Sequence, residues 1–390
     1  MLSKTTATLL LALAPGSLAW QWGKSGKWTG AQRTNCHGGE TYINYTTVTG
    51  FFQQDDSATD ASTFDYTTAN YGLINRIYDT DAVFDPAGTK TQWQRFEYYV
   101  NALNEEADSK TQYKVIYFAR HGEGYHNAAE TYYGTPAWNC YWSEQDGNGT
   151  VTWADAYLTE AGIAQTTKAN TFWRSQLADQ KMPAPQSYYS SPLNRCTTTA
   201  NLTFASLDLP ADRPFVPTVK ELFREGISIH TCDRRSSRSH IVGLFPAWRI
   251  EAGFTELDEL WNGTYAETSA AQALRSKRVL DDVFSGDDAA WLSVTSHSGE
   301  IKSLLSVLGH RAFSLSTGQA VPVLVRARNV KNAPAATTTG SAWSYEATCT
   351  APPVTSVAGT GCVCATTTTT TSVLVTASVV ANTTASATAT

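Results

Sequence analysis

The sequence predicts an α/β fold, a three-layer α/β/α sandwich around a mostly parallel central sheet, and three observations carry that expectation. Strand-like and helix-like patterns alternate between residues 114 and 327, the order that builds a parallel sheet covered by helices on both faces. The run Val115-Ile116-Tyr117-Phe118-Ala119 is apolar without polar alternation, as expected of a strand buried on both sides. A second run, Ala290 to Thr295, repeats the arrangement, and both runs end at a histidine, His121 and His297.

Taken in order, the chain begins with a segment that reads as a secretory signal over residues 1–19. Lys4 opens it, Leu9 to Ala14 form its apolar core, and Ser17-Leu18-Ala19 is a small-x-small cleavage site. The apolar run is too short to span a bilayer, and none later is longer, so no transmembrane segment is expected. Residues 20–110 read as an extension packed on a domain that runs from 20 to 333: loops rich in Thr, Asp and Tyr, then a helix with Trp93, Phe96, Tyr99, Val100 and Leu103 at helical spacing. After the first apolar strand, Thr159 is the N-cap of a helix with Ile163, Phe172, Trp173 and Leu177 on its inner face. Ser187 to Ser190 is a short strand, and a Pro-started helix follows with Leu193, Cys196, Ala200, Phe204 and Leu207 in register. Phe215 to Val219, interrupted by Pro217, reads as an edge strand. Thr255-Glu256-Leu257-Asp258 has a capping-box pattern that predicts a helix through Trp261, and a longer helix spans Ala270 to Phe284. Ile301, Leu304, Leu305 and Leu308 mark a helix after His297, and Val321 to Val325 is the last strand. Residues 334–390 form a Thr/Ala/Ser-rich tail with Glu346 as its only charge, expected to stand outside the core.

Composition narrows the function classes. A net charge of −6 with no basic tract argues against nucleic acid as a partner. Sequons at Asn44, Asn148, Asn201, Asn262 and Asn382 become glycosylation sites in an exported chain. Seven cysteines predict some disulfides and at least one free thiol, with the pairing open and Cys196 read as a small buried hydrophobe. Export outside the cell, with association with the cell wall as a variant, is the expected location.

The chemistry is expected at the strand ends, where ligands of such sheets collect. A histidine there, with Arg120 before it and Gly122 after it, suits attack on phosphorus. Arg195 falls in the first turn of its helix, where backbone N–H groups also favour an anion. The extended motif Arg120-His121-Gly122-Glu123-Gly124-Tyr125-His126-Asn127 resembles the signature of the histidine phosphatase superfamily, in the branch of cofactor-dependent phosphoglycerate mutases and their phosphatase relatives. Ser190-Ser191-Pro192-Leu193-Asn194-Arg195-Cys196, Leu222-Phe223-Arg224-Glu225 and Ser296-His297-Ser298-Gly299 look like its other active-site segments in the same order. The likeness to fungal phosphoglycerate-mutase-like proteins extends through Trp153-Ala154-Asp155, His230-Thr231-Cys232-Asp233 and Gly253-Phe254-Thr255-Glu256, over roughly residues 50 to 327.

That resemblance implies roles. His121 is the expected nucleophile, Arg120, Arg195 and His297 surround the phosphoryl oxygens, Asn127 adds a neutral donor, and Glu225 is the proton donor and acceptor, with Glu221 and Glu123 as alternatives. No metal or cofactor is required. His230, Cys232, Asp233 and His240 match neither zinc-finger nor His-Glu-x-x-His spacing, so they read as a substrate-side loop with Arg234 and Arg235 near the leaving group. Export favours hydrolysis of a small phosphorylated substrate over a phosphomutase, which needs intracellular intermediates. A catalytically idle wall or surface protein is the third reading. Arg-His-Gly-Glu and His297-Ser298 depart from the Arg-His-Gly-x-Arg-x-Pro and His-Asp pattern of the acid phosphatase and phytase branch.

Overall fold

The computed structural model describes residues 42–331, 341–352 and 362–364, within the unit Gly38–Thr390. The signal expected at residues 1–19 and the sequon at Asn382 lie outside the described residues.

Strand β1 (Tyr42–Thr47) buries Ile43, Tyr45 and Thr47 and turns Asn44 and Thr46 outward. The sequence predicts only loops here, because Tyr42-Ile43-Asn44-Tyr45-Thr46-Thr47 holds a single aliphatic residue and gives a weak two-residue period. A short helix α1 (Asp81–Phe84) precedes α2 (Gln92–Glu106), which starts where the Gln94 N–H donates to Thr91 Oγ1 at 3.2 Å. Strand β2 (Thr111–Arg120) leads to α3 (Tyr125–Tyr133), α4 (Thr135–Cys140) and α5 (Glu160–Ser175). Thr159 caps α5 as expected, accepting from Gly162 N at 3.1 Å, but Ile163 is exposed. Phe172 and Trp173 are buried on its inner face, as expected.

The chain continues with β3 (Ser187–Ser190), α6 (Asn194–Phe204), β4 (Thr218–Val219), α7 (Arg238–Leu244) and β5 (Arg249–Ile250). It then forms β6 (Tyr265–Glu267), α8 (Ser269–Gly286), β7 (Trp291–Ser296), α9 (Ser298–Val307), β8 (Ala320–Val330) and β9 (Trp343–Tyr345). Seven strands make one sheet in the order β1-β8-β2-β7-β3-β4-β5. From β2 to β5 every pairing is parallel, and β8 runs antiparallel to both its neighbours. The three-layer, mostly parallel architecture is therefore as predicted.

The two faces of β2 show why it had to be apolar throughout. Val115 and Tyr117 join Trp93, Phe96, Phe172, Trp173 and Phe204 of α2, α5 and α6 on one side. Ile116 and Phe118 join Val279, Leu280, Leu304 and Leu305 of α8 and α9 on the other. Truncating the fully buried Phe118 to Ala would cost about 3–5 kcal/mol on general grounds.

Three local expectations are corrected. β4 is interior, because β5 pairs outside it, with the Arg249 N–H on Pro217 O at 2.9 Å. No helix forms over residues 255–261: the carbonyls of Thr255, Glu256 and Leu257 accept from the Arg235 guanidinium, and Asp258 Oδ1 turns back to the N–H groups of Leu260 and Trp261. The capping-box residues are thus engaged in a loop that wraps an arginine.

The tail is the third correction. Its described parts, 341–352 and 362–364, return to the body: β9 pairs antiparallel with β6, and disulfides join Cys140 to Cys362 and Cys349 to Cys364. Cys196 and Cys232 are the free thiols among the described residues, both buried. Among the described residues no helix is long and apolar enough to cross a membrane.

Candidate active site

Register brings the motifs together. Arg120 lies opposite Ser296 in the parallel β2/β7 pair, and the His121 N–H donates to Ser296 O at 3.1 Å, so His121 and His297 leave the sheet at one level. Ser190 pairs with Thr295, and the Ser191 N–H continues onto Thr295 O at 3.0 Å. The cluster sits beyond the carboxyl ends of adjacent parallel strands.

His121 is buried, and its Nδ1 lies 2.7 Å from Gly122 O. A carbonyl can only accept, so Nδ1 carries the hydrogen and Nε2 keeps a free lone pair. Burial, then the charges of Arg195 and Arg120, hold the imidazole pKa well below the usual histidine range. Gly122 is needed here for close approach: a Cβ would meet Gly162 O at 2.5 Å, where the start of α5 crosses the loop. Its N–H donates to Thr199 Oγ1 at 3.0 Å.

Arg195, in the first turn of α6, is buried and donates Nη1 to Cys232 O at 2.6 Å, Nη2 to Asp233 Oδ1 at 3.3 Å and Nε to His297 Nδ1 at 3.2 Å. Since the guanidinium only donates, His297 is left to give its Nε2–H to Ser191 Oγ, 2.7 Å away. Its ring centroid is 5.1 Å from that of His121. Arg120 donates Nη1 to Leu315 O at 2.8 Å, while its buried Nε has no protein partner.

Glu225 reaches the same cluster from the loop after β4. Its Oε1 accepts from Gly226 N at 3.0 Å and Glu300 N at 2.9 Å, and Oε2 from Gly299 N at 3.2 Å, so it caps the start of α9. Gly299 permits this, because a Cβ there would collide with the carboxylate. Burial, followed by the charge of Asp233, raises the Glu225 pKa above the usual carboxylate range. The alternatives are otherwise engaged: Glu221 pairs with Arg224 and Arg235, and Glu123 Oε1 accepts from Thr159 Oγ1 at 2.7 Å.

Other expected site residues divide. Asn127 Oδ1 accepts from Gly124 N at 3.1 Å as a helix cap, which aims its amide NH2 elsewhere. Arg234 is half-buried, paired with Asp146 at 2.7 Å and lying over the Trp261 ring. Arg235 is corrected: it is buried, with Nε on Glu221 and both terminal nitrogens on loop carbonyls, which leaves it a structural task and no free donor face for substrate. His230, Cys232 and Asp233 do gather, with ligand atoms within 4.8 Å of one another, but Asp233 is engaged with Arg195 and Ser228, and His240 lies apart against Tyr157. Of the sequons, Asn44, Asn148 and Asn262 are exposed and Asn201 is half-buried on α6.

Three residues without an expected role, and Asp233, expected only in a substrate-side loop, are brought here by the fold. His126 is buried with its centroid 5.4 Å from His121, and Asp155 Oδ1 accepts from Asn194 N at 2.8 Å at the start of α6. Ser191 and Asp233 fix His297 and Arg195. All four lie inside the recognised motif segments, yet their tasks depend on partners 38 or more positions away in three of the four cases.

The family model described as "Histidine phosphatase superfamily (branch 1)" matches residues 116–316. The chain is 49% identical over 292 residues to a probable phosphoglycerate mutase of Arthroderma benhamiae, covering 75% of this chain and 87% of the relative. It is 33% identical over 258 residues to phosphomutase-like protein 3 of Candida albicans, covering 66% and 76%. Among solved structures, a mycobacterial glucosyl-3-phosphoglycerate phosphatase aligns with 18% identity and a TM-score of 0.33 over 54% of this chain and 92% of the other. With the model spanning His121, Arg195, Glu225 and His297, and relatives of that identity over most of its length, this chain belongs to branch 1 of the histidine phosphatase superfamily.

Proposed function

We propose that this protein is a secreted phosphomonoesterase that hydrolyses phosphate esters through a phosphohistidine. The observation that carries the reading is the pairing of a neutral, Nε2-free His121 with a Glu225 whose pKa is raised, inside one cluster with Arg195, Arg120 and His297. Nε2 attacks phosphorus, the P–N bond forms as the ester P–O bond breaks, and the Glu225 carboxyl gives its proton to the departing oxygen. Water then attacks phosphorus, Glu225 takes its proton, and the P–N bond breaks to restore His121. Arg120 and Arg195 stabilise charge on the equatorial oxygens, and His297 joins them by exchanging Ser191 for a phosphoryl oxygen. Asn127 and Arg234 are the outer polar contacts, and no step calls on a metal or cofactor.

Export rests on the signal-like residues 1–19 and on two disulfides, which fit an oxidising compartment; glycosylation at the exposed sequons goes with it. The names of the relatives favour a second reading, a phosphomutase that returns the phosphoryl group to a bound acceptor. Phosphate release from p-nitrophenyl phosphate against isomerisation of phosphoglycerate separates the two, and a protein inert in both assays would be the idle wall component. Wild type should take acid-labile label from a radioactive phosphomonoester, and His121→Ala should take none and lose activity while keeping its fold; an active variant would refute the mechanism.

A further inference from the structure

Glu225 sits on a turn whose carbonyls are gathered by one buried guanidinium. Arg275 of α8 donates Nη1 to Leu222 O at 2.8 Å and Arg224 O at 2.9 Å, and Nη2 to Glu225 O at 3.1 Å. Its other edge meets Glu267, the last residue of β6, with Nε 3.0 and 3.1 Å from the two carboxylate oxygens and Nη2 at 2.9 Å. Glu300 lies 3.1 Å from the same Nη2, and its own N–H holds Glu225 Oε1. Backbone and carboxyl of Glu225 are therefore fixed by two residues that touch each other.

Glu267 is itself held from outside. Its N–H donates to Ile227 O at 2.6 Å, and it lies opposite Trp343 in the β6/β9 pair. The next residue, Thr268, donates its N–H to Ala342 O at 3.0 Å and its hydroxyl to Ser341 O at 3.1 Å. The Cys140–Cys362 disulfide ties the same tail to α4.

We propose that Arg275 is a positioning residue for proton donation by Glu225, and that Glu267 with the C-terminal strand β9 completes its support, so that the tail serves the catalytic centre. The proposal rests on reading Glu225 as the proton donor. A general acid works only within hydrogen-bond reach of the leaving oxygen, and a displacement of about 1 Å costs roughly 100-fold in rate. Lysine at 275 would keep the charge but present it from one point, unable to span three carbonyls and a carboxylate.

The test compares kcat/KM for an alkyl phosphate and for p-nitrophenyl phosphate, whose phenolate leaves with little need of a proton, in the full-length protein. Arg275→Lys should lower the alkyl rate about 10- to 100-fold and the p-nitrophenyl rate less than about threefold. Ser344→Pro, in exposed β9 opposite Ala266, removes a ladder donor and should give the same selectivity at about 3- to 10-fold. Equal losses on both substrates in Arg275→Lys would overturn the proposal, and an unchanged Ser344→Pro would overturn the part assigned to the tail. If Arg275→Lys does not fold, Glu267→Gln is read by the same criterion. Glu225→Gln is the reference: a selective Glu225→Gln beside an unselective Arg275→Lys defeats this inference alone, and an unselective Glu225→Gln defeats the acid assignment and this inference with it.

Discussion

Replacing Glu225 by glutamine keeps the shape of the side chain and removes its proton, so its effects can be worked out from three hydrogen bonds. The carboxylate accepts from Gly226, Gly299 and Glu300. A glutamine keeps the Oε1 acceptor for Gly226 and Glu300 and turns an NH2 toward the Gly299 N–H, which leaves one amide unpaired at about 1–3 kcal/mol. Catalysis should suffer selectively: alkyl phosphates lose about 10²–10⁴-fold in kcat/KM, the usual worth of a positioned acid, while p-nitrophenyl phosphate loses far less. The pH dependence follows from the directions of the shifts. Activity needs His121 unprotonated, which holds above a pKa pushed well below 6.5, and Glu225 protonated, which holds below a pKa raised from 4.5. Wild type should therefore show a bell on the acid side of neutrality, and the variant should lose the alkaline limb. Stability carries a second sign. Because the folded pKa of Glu225 lies above its unfolded value, its contribution is fully present below the unfolded pKa and is lost as pH rises through the folded one. The stability deficit of the variant should accordingly shrink with rising pH in denaturant titrations. Equal losses on both substrates with the alkaline limb intact would refute the argument.

Two further perturbations probe the surroundings. Asp233→Asn removes the charge that, after burial, raises the Glu225 pKa, so the alkaline limb of kcat/KM should move to lower pH; an unmoved or upward-shifted limb would count against the assignment. Cys362→Ser together with Cys140→Ser opens a loop with a sequence separation of 222 residues, for which the chain-entropy model gives about 5 kcal/mol as an upper bound. The melting temperature should fall in the variant, and reduction of wild type, which also opens Cys349–Cys364, should lower it at least as far; an unchanged melt would show that the strap adds no stability.

What the sequence determined by itself is local and periodic. An unbroken apolar run before Arg120-His121-Gly122, and its echo before His297, were enough to read two central strands with chemistry at their ends, because burial on both faces leaves no room for polar alternation. Helices α2, α5, α6 and α9 were legible from three- and four-residue spacing, because each buries one face and leaves the other to solvent. What only the tertiary structure decided is which partner each polar group finds. Arg235 and Arg195 look alike in sequence, but the first is wrapped by the carbonyls of residues 255–257 while the second is set beside His297 by Asp233 and Cys232. The loop of residues 255–261 carried a helix pattern and lost it to that arginine. The tail carried no periodic pattern, and its described parts were placed by strand pairing with β6 and by two disulfides. Hydrophobic periodicity is a property of a dozen neighbouring residues, whereas a buried charge is satisfied by whichever groups the whole fold delivers to it, and those lie up to hundreds of positions away.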